Sequence, residues 1–193
     1  MEISERQLEI IETAGRILSV SGLSGLTTKN LAKEIGFSEA ALYRHFPSKE
    51  DIILGLLDYL RTNMDERLEK VFIPHADPKE NLIALFESQF SFFSKNPHYV
   101  VAVFSDGLME GSDKINQAIL QLMQVKMKYL MPIVMQGQQK GTFTQAITNE
   151  ELVHIIMGSF RLQMFKWKIS NFKFDINRQG RNMLEALLTL IKQ

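Results

Sequence analysis

A chain of 193 residues that is 45% hydrophobic can bury a sizeable core, which excludes an intrinsically disordered protein. It has no Cys, so disulfides, thiolate metal sites and cysteine nucleophiles are excluded together. Its 22 Lys and Arg balance 22 Asp and Glu to a formal net charge of zero, so any binding to nucleic acid has to come from a local surface rather than from bulk charge.

Ile10, Ile11, Ala14, Ile17 and Leu18 recur at helical steps and predict a first helix from about Ser4 to Ser21. The charged, periodic stretch from Glu2 to Arg16 lacks the apolar core of a secretion signal, so a cytoplasmic protein is expected. Gly22 and Gly25 break the helix, and Thr27 or Thr28 caps a second one running to about Ile35. Gly36 supplies a turn, and Ser38 caps a short third helix that ends near His45 ahead of Pro47. Ser48 and Asp51 form a capping-box pattern that opens a long fourth helix to about Lys70.

Pro74 and Pro78 bracket a loop. Leu82, Leu85, Phe86, Gln89, Phe90 and Phe93 then mark a fifth helix, and Asn96-Pro97 turns the chain into a short sixth. Glu110-Gly111-Ser112 separates it from a seventh, from about Asp113 to Lys140, with a kink expected at Pro132. Thr148 and Glu151 form another capping box, starting an eighth helix to about Lys168, and Asn177 to Lys192 forms a ninth. No run reads as a strand and none approaches the roughly 18 apolar residues of a membrane span. The expected fold is therefore all-α, with about nine helices and no membrane partner.

The window from Thr28 to Phe46 has what a helix-turn-helix needs. Leu31 and Ile35 face the core of the unit, Ala32 is small where two helices approach, and Gly36 makes the turn. Phe37 and Leu42 hold the second helix at a steep angle. From Leu26 to Lys49 four cations, Lys29, Lys33, Arg44 and Lys49, stand against Glu34 and Glu39, a local excess of two positive charges.

Three segments stand in the order and spacing of one family: Gly22-Leu23-Ser24-Gly25-Leu26-Thr27-Thr28, then Leu31-Ala32-Lys33-Glu34-Ile35-Gly36, then Ala41-Leu42-Tyr43-Arg44-His45-Phe46-Pro47-Ser48-Lys49-Glu50. On these residues the chain resembles the TetR family of transcriptional regulators, densely from about Ile10 to Leu57 and beyond that only in length and helix pattern. The resemblance implies a helix-turn-helix DNA-binding domain over 1–48 and a helical ligand-binding and dimerisation domain over 49–193. It makes Thr28, Tyr43, His45 and Lys49 phosphate-contacting positions, and all four side chains carry donors suited to a phosphate oxygen. It places Ser38, Glu39 and Ala40 against base edges, where Ser and Ala permit close approach and the Glu39 carboxylate accepts from cytosine N4 or complements the helix N-terminus. Arg44 reads as a surface charge, a nonspecific phosphate contact or a base contact.

The implied function is a repressor that binds a two-fold operator in double-stranded DNA as a homodimer and is released by a small hydrophobic or amphipathic inducer. Met123, Met127, Met131 and Met135 repeat along one face of the seventh helix, a pattern that serves either core filling or an adaptable ligand surface. With Phe90, Phe93, Phe104, Phe160, Met164 and Trp167 they are the candidate ligand-binding residues. Leu152, Ile156, Leu184, Leu187, Leu188 and Ile191, on the last two helices, are the expected dimer interface, with Gly158 and Ser159 permitting close approach. An enzyme is not expected. His45, His75, His98 and His154 are dispersed, no metal-ligand pair or glycine-rich phosphate loop appears, and Asp106, Glu110 and Asp113 sit near a turn as solvated or capping carboxylates, so no cofactor or metal is expected either. The alternative is a helical carrier of hydrophobic ligands, which accounts for the apolar region but not for the residues of the third helix.

Overall fold

The structure, a computed structural model, describes residues 3–104 and 112–193. The sequence expectations on Glu2, Asp106, Glu110 and Gly111 lie outside the described residues. Within them the chain forms α1 (Glu5–Gly25), α2 (Thr28–Ile35), α3 (Glu39–His45), α4 (Lys49–Val71), α5 (Pro78–Lys95), α6 (His98–Phe104), α7 (Asp113–Gln139), α8 (Asn149–Ile169) and α9 (Ile176–Ile191). The extended pairing among the described residues is a single antiparallel bridge between Phe143 and Lys192.

Short polar side chains set the helix starts. Ser4 and Gln7 close a reciprocal capping box on α1, and Thr148 and Glu151 close another on α8. Thr27 accepts from the Asn30 N–H and Ser38 from the Ala41 N–H, so each satisfies an orphan donor of the helix it precedes. Ser48 accepts from the Asp51 N–H at 3.1 Å and donates to the Asp51 carboxylate at 2.6 Å. At α9 the cap is Asp175, which accepts from the N–H groups of Asn177 and Arg178, so the helix starts earlier than the periodicity predicts. Gly22, at φ 64° and ψ −167°, interrupts α1, and a last turn follows to Gly25.

Two compact units emerge. The first comprises Met1–Asn63 with Asn96–Leu122, the second Met64–Lys95 with Met123–Gln193. The three N-terminal helices share a unit with the start of α4 and with α6. In the first unit Ile10, Ile11, Leu18, Leu31, Leu42, Ile52 and Leu56 are buried. Here α6 lies along α1, where Gly15 leaves room for the rings of His98 and Tyr99.

In the second unit α9 packs on α5, and Phe160 of α8 stacks against Phe86 and Phe90 at ring separations of 5.3 and 5.4 Å. A Cβ on Gly180 would overlap the Phe90 ring, so this glycine sets how closely α9 approaches α5. Helix propensity favours Ala over Gly by roughly 1 kcal/mol, but overpacking costs about 1–3 kcal/mol. Gly180→Ala is therefore expected to lower stability in urea unfolding, and an equally stable or more stable variant would show that α9 is not held by this contact.

Candidate DNA interface and sensor region

The α2–α3 turn is built on Gly36, which adopts φ 79° and ψ 26°, a left-handed conformation that costs glycine no Cβ penalty. The Phe37 N–H then closes onto the Ala32 carbonyl at 2.8 Å. Leu42, fully buried, and Phe46 pin α3 from beneath, which leaves Ser38, Glu39, Ala40, Tyr43 and Arg44 exposed on its outer side. Thr28, His45 and Lys49 are half-buried beside them.

A chain of hydroxyls connects the two helices. Thr28 donates through Oγ1 to Glu39 Oε2 at 2.8 Å, and the Tyr43 hydroxyl reaches Thr28 Oγ1 at 3.5 Å. Glu39 is thereby held by a neighbour on α2, an intramolecular role that its sequence position does not announce. Lys49 Nζ donates to the Leu23 carbonyl at 2.9 Å, which ties the segment preceding α2 to the first turn of α4. Four polar side chains of the Thr28–Lys49 segment, Thr28, Glu39, Tyr43 and Lys49, are thus partly committed inside the protein while keeping further hydrogen-bonding capacity for a ligand.

The expected ligand residues separate by environment. Phe90, Phe160, Met164 and Trp167 are buried in the second unit, whereas Phe104 is buried in the first. The methionine stripe of α7 lies on its more open side. Met127 and Met131 are half-buried and Met123 and Met135 are exposed, because Tyr129, Leu130, Ile133 and Val134 form the inward face. The Trp167 indole is committed structurally, donating to the Phe174 carbonyl at 2.9 Å with Phe172 against its ring.

Two polar side chains that sequence reasoning did not single out as functional lie in this interior. Gln89 is fully buried between Phe86 and Phe90 in the α5 stripe, and neither its Nε2 nor its Oε1 has a hydrogen-bond partner. Lys126 falls in the inward stripe of α7 and places Nζ 3.9 Å from the centre of the Phe160 ring. Burial, with the nearby Arg67 charge adding to it, pushes the Lys126 ammonium down to about 7. The signal available in the sequence was a polar residue inside each apolar repeat.

The six residues expected at a dimer interface, Leu152, Ile156, Leu184, Leu187, Leu188 and Ile191, all lie buried inside the single chain, as packing within one subunit requires for part of such an apolar set. The apolar side chains that α8 leaves exposed are Ile155, Leu162, Phe165 and Ile169, with Leu190 exposed on α9. Both helices are apolar on more than one side, and the stripe that packs against α5 takes the interior. Among the described residues no three His, Asp or Glu side chains group as metal ligands, and no helix is long and apolar enough to cross a membrane.

Comparison with known proteins places both parts of the chain. The family described as "Bacterial regulatory proteins, tetR family" matches residues 10–56, and "YsiA-like protein, C-terminal region" matches 56–190. The nucleoid occlusion factor SlmA of Vibrio atlanticus (strain LGP32) is 27% identical over 173 residues, covering 89% of this chain and 88% of that protein. FadR from Bacillus subtilis, solved in complex with stearoyl-CoA, superposes with a TM-score of 0.83 at 22% identity, over 94% of this chain and 97% of that one. The ketosteroid transcriptional regulator KstR2 of Mycobacterium tuberculosis gives 0.82 at 21% identity, over 100% and 97%. These two structures share the fold.

Proposed function

The chain belongs to the TetR family and is a DNA-binding transcriptional regulator; from that premise we propose that it works as a homodimeric, cytoplasmic repressor released from a two-fold operator by an amphipathic small molecule. The observation that carries the DNA reading is the exposed face of α3 flanked by Thr28, His45 and Lys49. Thr28, Tyr43, His45 and Lys49 hold phosphates and set register, and Ser38, Glu39 and Ala40 meet base edges, with Arg44 beside them. Two such heads, one per subunit, read half-sites about one helical turn or a multiple of it apart.

The ligand reading is supported by an interior rich in aromatic side chains, Phe86, Phe90 and Phe160, together with the stearoyl-CoA bound by the Bacillus subtilis neighbour. The ligand acts by preferring a conformation of the dimer that the operator does not. A regulator of this kind has a coupling free energy of about 1–3 kcal/mol between its two sites.

The test starts from an operator found by sequencing protein-bound DNA. Operator affinity is then measured by fluorescence anisotropy with and without stearoyl-CoA, free fatty acids, bile-salt-like amphiphiles and aromatic drugs. A true inducer is expected to weaken operator binding by roughly tenfold, and the operator must weaken ligand binding by the same factor. Ligands that bind the protein and leave operator affinity unchanged would rule out release by ligand while leaving the DNA-binding assignment in place.

A further inference from the structure

The interior of the second unit contains a polar feature that packing alone does not explain. Along α5 the buried residues Phe86, Gln89, Phe90 and Phe93 share one face, and Phe160 of α8 meets Phe86 and Phe90 on it. Gln89 lies on this face with 0% exposure, and both ends of its amide lack a partner. A buried amide offers two N–H donors and an acceptor oxygen, and proteins rarely leave all of them unused. Lys126 stands over the same Phe160 ring, 6% exposed, and Gln163, three residues on from Phe160 in α8, is 8% exposed. Gln89 and Lys126 are thus two buried polar side chains in one aromatic interior, a small number of polar groups of the kind that fixes a ligand's orientation in an otherwise apolar site.

We propose that Gln89, with Lys126 beside the shared Phe160 ring, is the polar subsite for the ligand of this regulator, and that it takes an amphipathic carboxylic acid carrying a hydroxyl group near the acid. The inference rests on the reading that the second unit binds an amphipathic small molecule. The chemistry follows from what the side chains offer. The Gln89 Nε2 donates to an acid or carbonyl oxygen, while Oε1 can be satisfied only by a donor, which a plain carboxylate lacks and a neighbouring hydroxyl supplies. The Lys126 ammonium provides the countercharge that brings a carboxylate into such an interior. The aromatic rings of Phe86, Phe90 and Phe160 accept the apolar body.

The experiment compares the unmodified protein with Gln89→Leu and Lys126→Met, using 3-hydroxyhexadecanoate, hexadecanoate and hexadecanoate methyl ester as calorimetric probes, with stearoyl-CoA as a reference ligand. The unmodified protein is expected to bind the hydroxy acid about tenfold or more tightly than the plain acid, because a site built to bond a hydroxyl rejects the analogue without it. Gln89→Leu should abolish that preference, and Lys126→Met should remove the preference for acid over ester. In the ligand-free protein Gln89→Leu should raise the melting temperature, since a side chain of similar size replaces two unpaired buried polar atoms. A lower melting temperature for that variant would show that the amide serves the fold and would overturn the subsite. If probes bind but neither variant changes their ranking, the subsite is wrong and the ligand-binding reading stands. Failure of every probe, stearoyl-CoA included, to bind the unmodified protein would overturn both.

Discussion

Leu162→Asp is expected to yield a folded, helical monomer whose affinity for the operator is at least about a hundredfold lower than that of the unmodified protein. Leu162 is 59% exposed on α8, in line with Ile155 at 48% and Ile169 at 62%, each seven residues from the next. Seven residues are close to two helical turns, so the three side chains form one stripe, and Phe165 lies beside it. A contiguous apolar stripe on an open helix face marks a surface that another protein covers, and a reader of two-fold operators requires a second copy of itself. In the free chain an aspartate at 162 meets water and costs little; in the dimer it is an unpaired charge in an apolar interface, a penalty of several kcal/mol. Losing the second head converts an intramolecular second binding event into an independent one, which removes avidity of roughly 10²–10⁴. Leu187→Asp provides the contrast. Leu187 is only 5% exposed inside the chain, so a charge there is expected to prevent folding rather than to separate subunits. Sedimentation, circular dichroism and anisotropy together decide the matter. A folded monomer for the unmodified protein at micromolar concentration, or a Leu162→Asp dimer with full operator affinity, would remove this face from the assembly.

The contrast between Leu162 and Leu187 marks where sequence reasoning stops. Helix limits were legible because local chemistry writes them. Ser4, Thr27, Ser38, Ser48 and Thr148 each satisfy donors a few residues on, and Gly36 stands where the backbone has to turn left-handed. The DNA-reading segment was legible for the same reason, since it is short, contiguous and dense in residues with fixed tasks. Which face of α8 turns inward was not legible, because Ile155 and Ile156 are neighbours of equal hydrophobicity and only packing against α5 chooses between them. The methionines of α7 were ambiguous in the same way, and the structure puts them on the open side because Tyr129 and Ile133 occupy the other. Gln89 and Lys126 show the converse failure. Each breaks an apolar repeat by a single residue, a defect that periodicity counting forgives although it carries chemical information. The bond from the Thr28 hydroxyl to the Glu39 carboxylate joins residues eleven positions apart, so neither position in the sequence announces it.

Lys49→Ala is expected to reduce affinity for operator and unrelated DNA alike, by about a hundredfold for the dimer at moderate salt, and to flatten the salt dependence of both. Lys49 is the first residue of α4, at the positive end of the helix dipole, where a cation is disfavoured and Glu50 and Asp51 are the residues that suit the position. A DNA phosphate at this place would satisfy both the lysine and the helix end. Its ammonium has three donors; one goes to the Leu23 carbonyl at 2.9 Å, which leaves two for a phosphate oxygen. Each phosphate neutralised by a protein cation contributes about 0.9 to the slope of log affinity against log salt, so a dimer losing two contacts should flatten by nearly two units. The Leu23 bond raises a competing explanation, that the lysine only fastens the segment before α2. Lys49→Gln separates the two, because its amide can still donate to the Leu23 carbonyl but carries no charge. If the phosphate contact dominates, Gln and Ala flatten the salt slope equally and Gln keeps more of the thermal stability. Tyr43→Phe gives the complementary signature, weaker binding with an unchanged slope, because a phenol contributes a hydrogen bond without a charge. A Lys49→Ala protein that loses affinity at an unchanged salt slope would assign the residue to the fold of the reading head and take it out of the DNA interface.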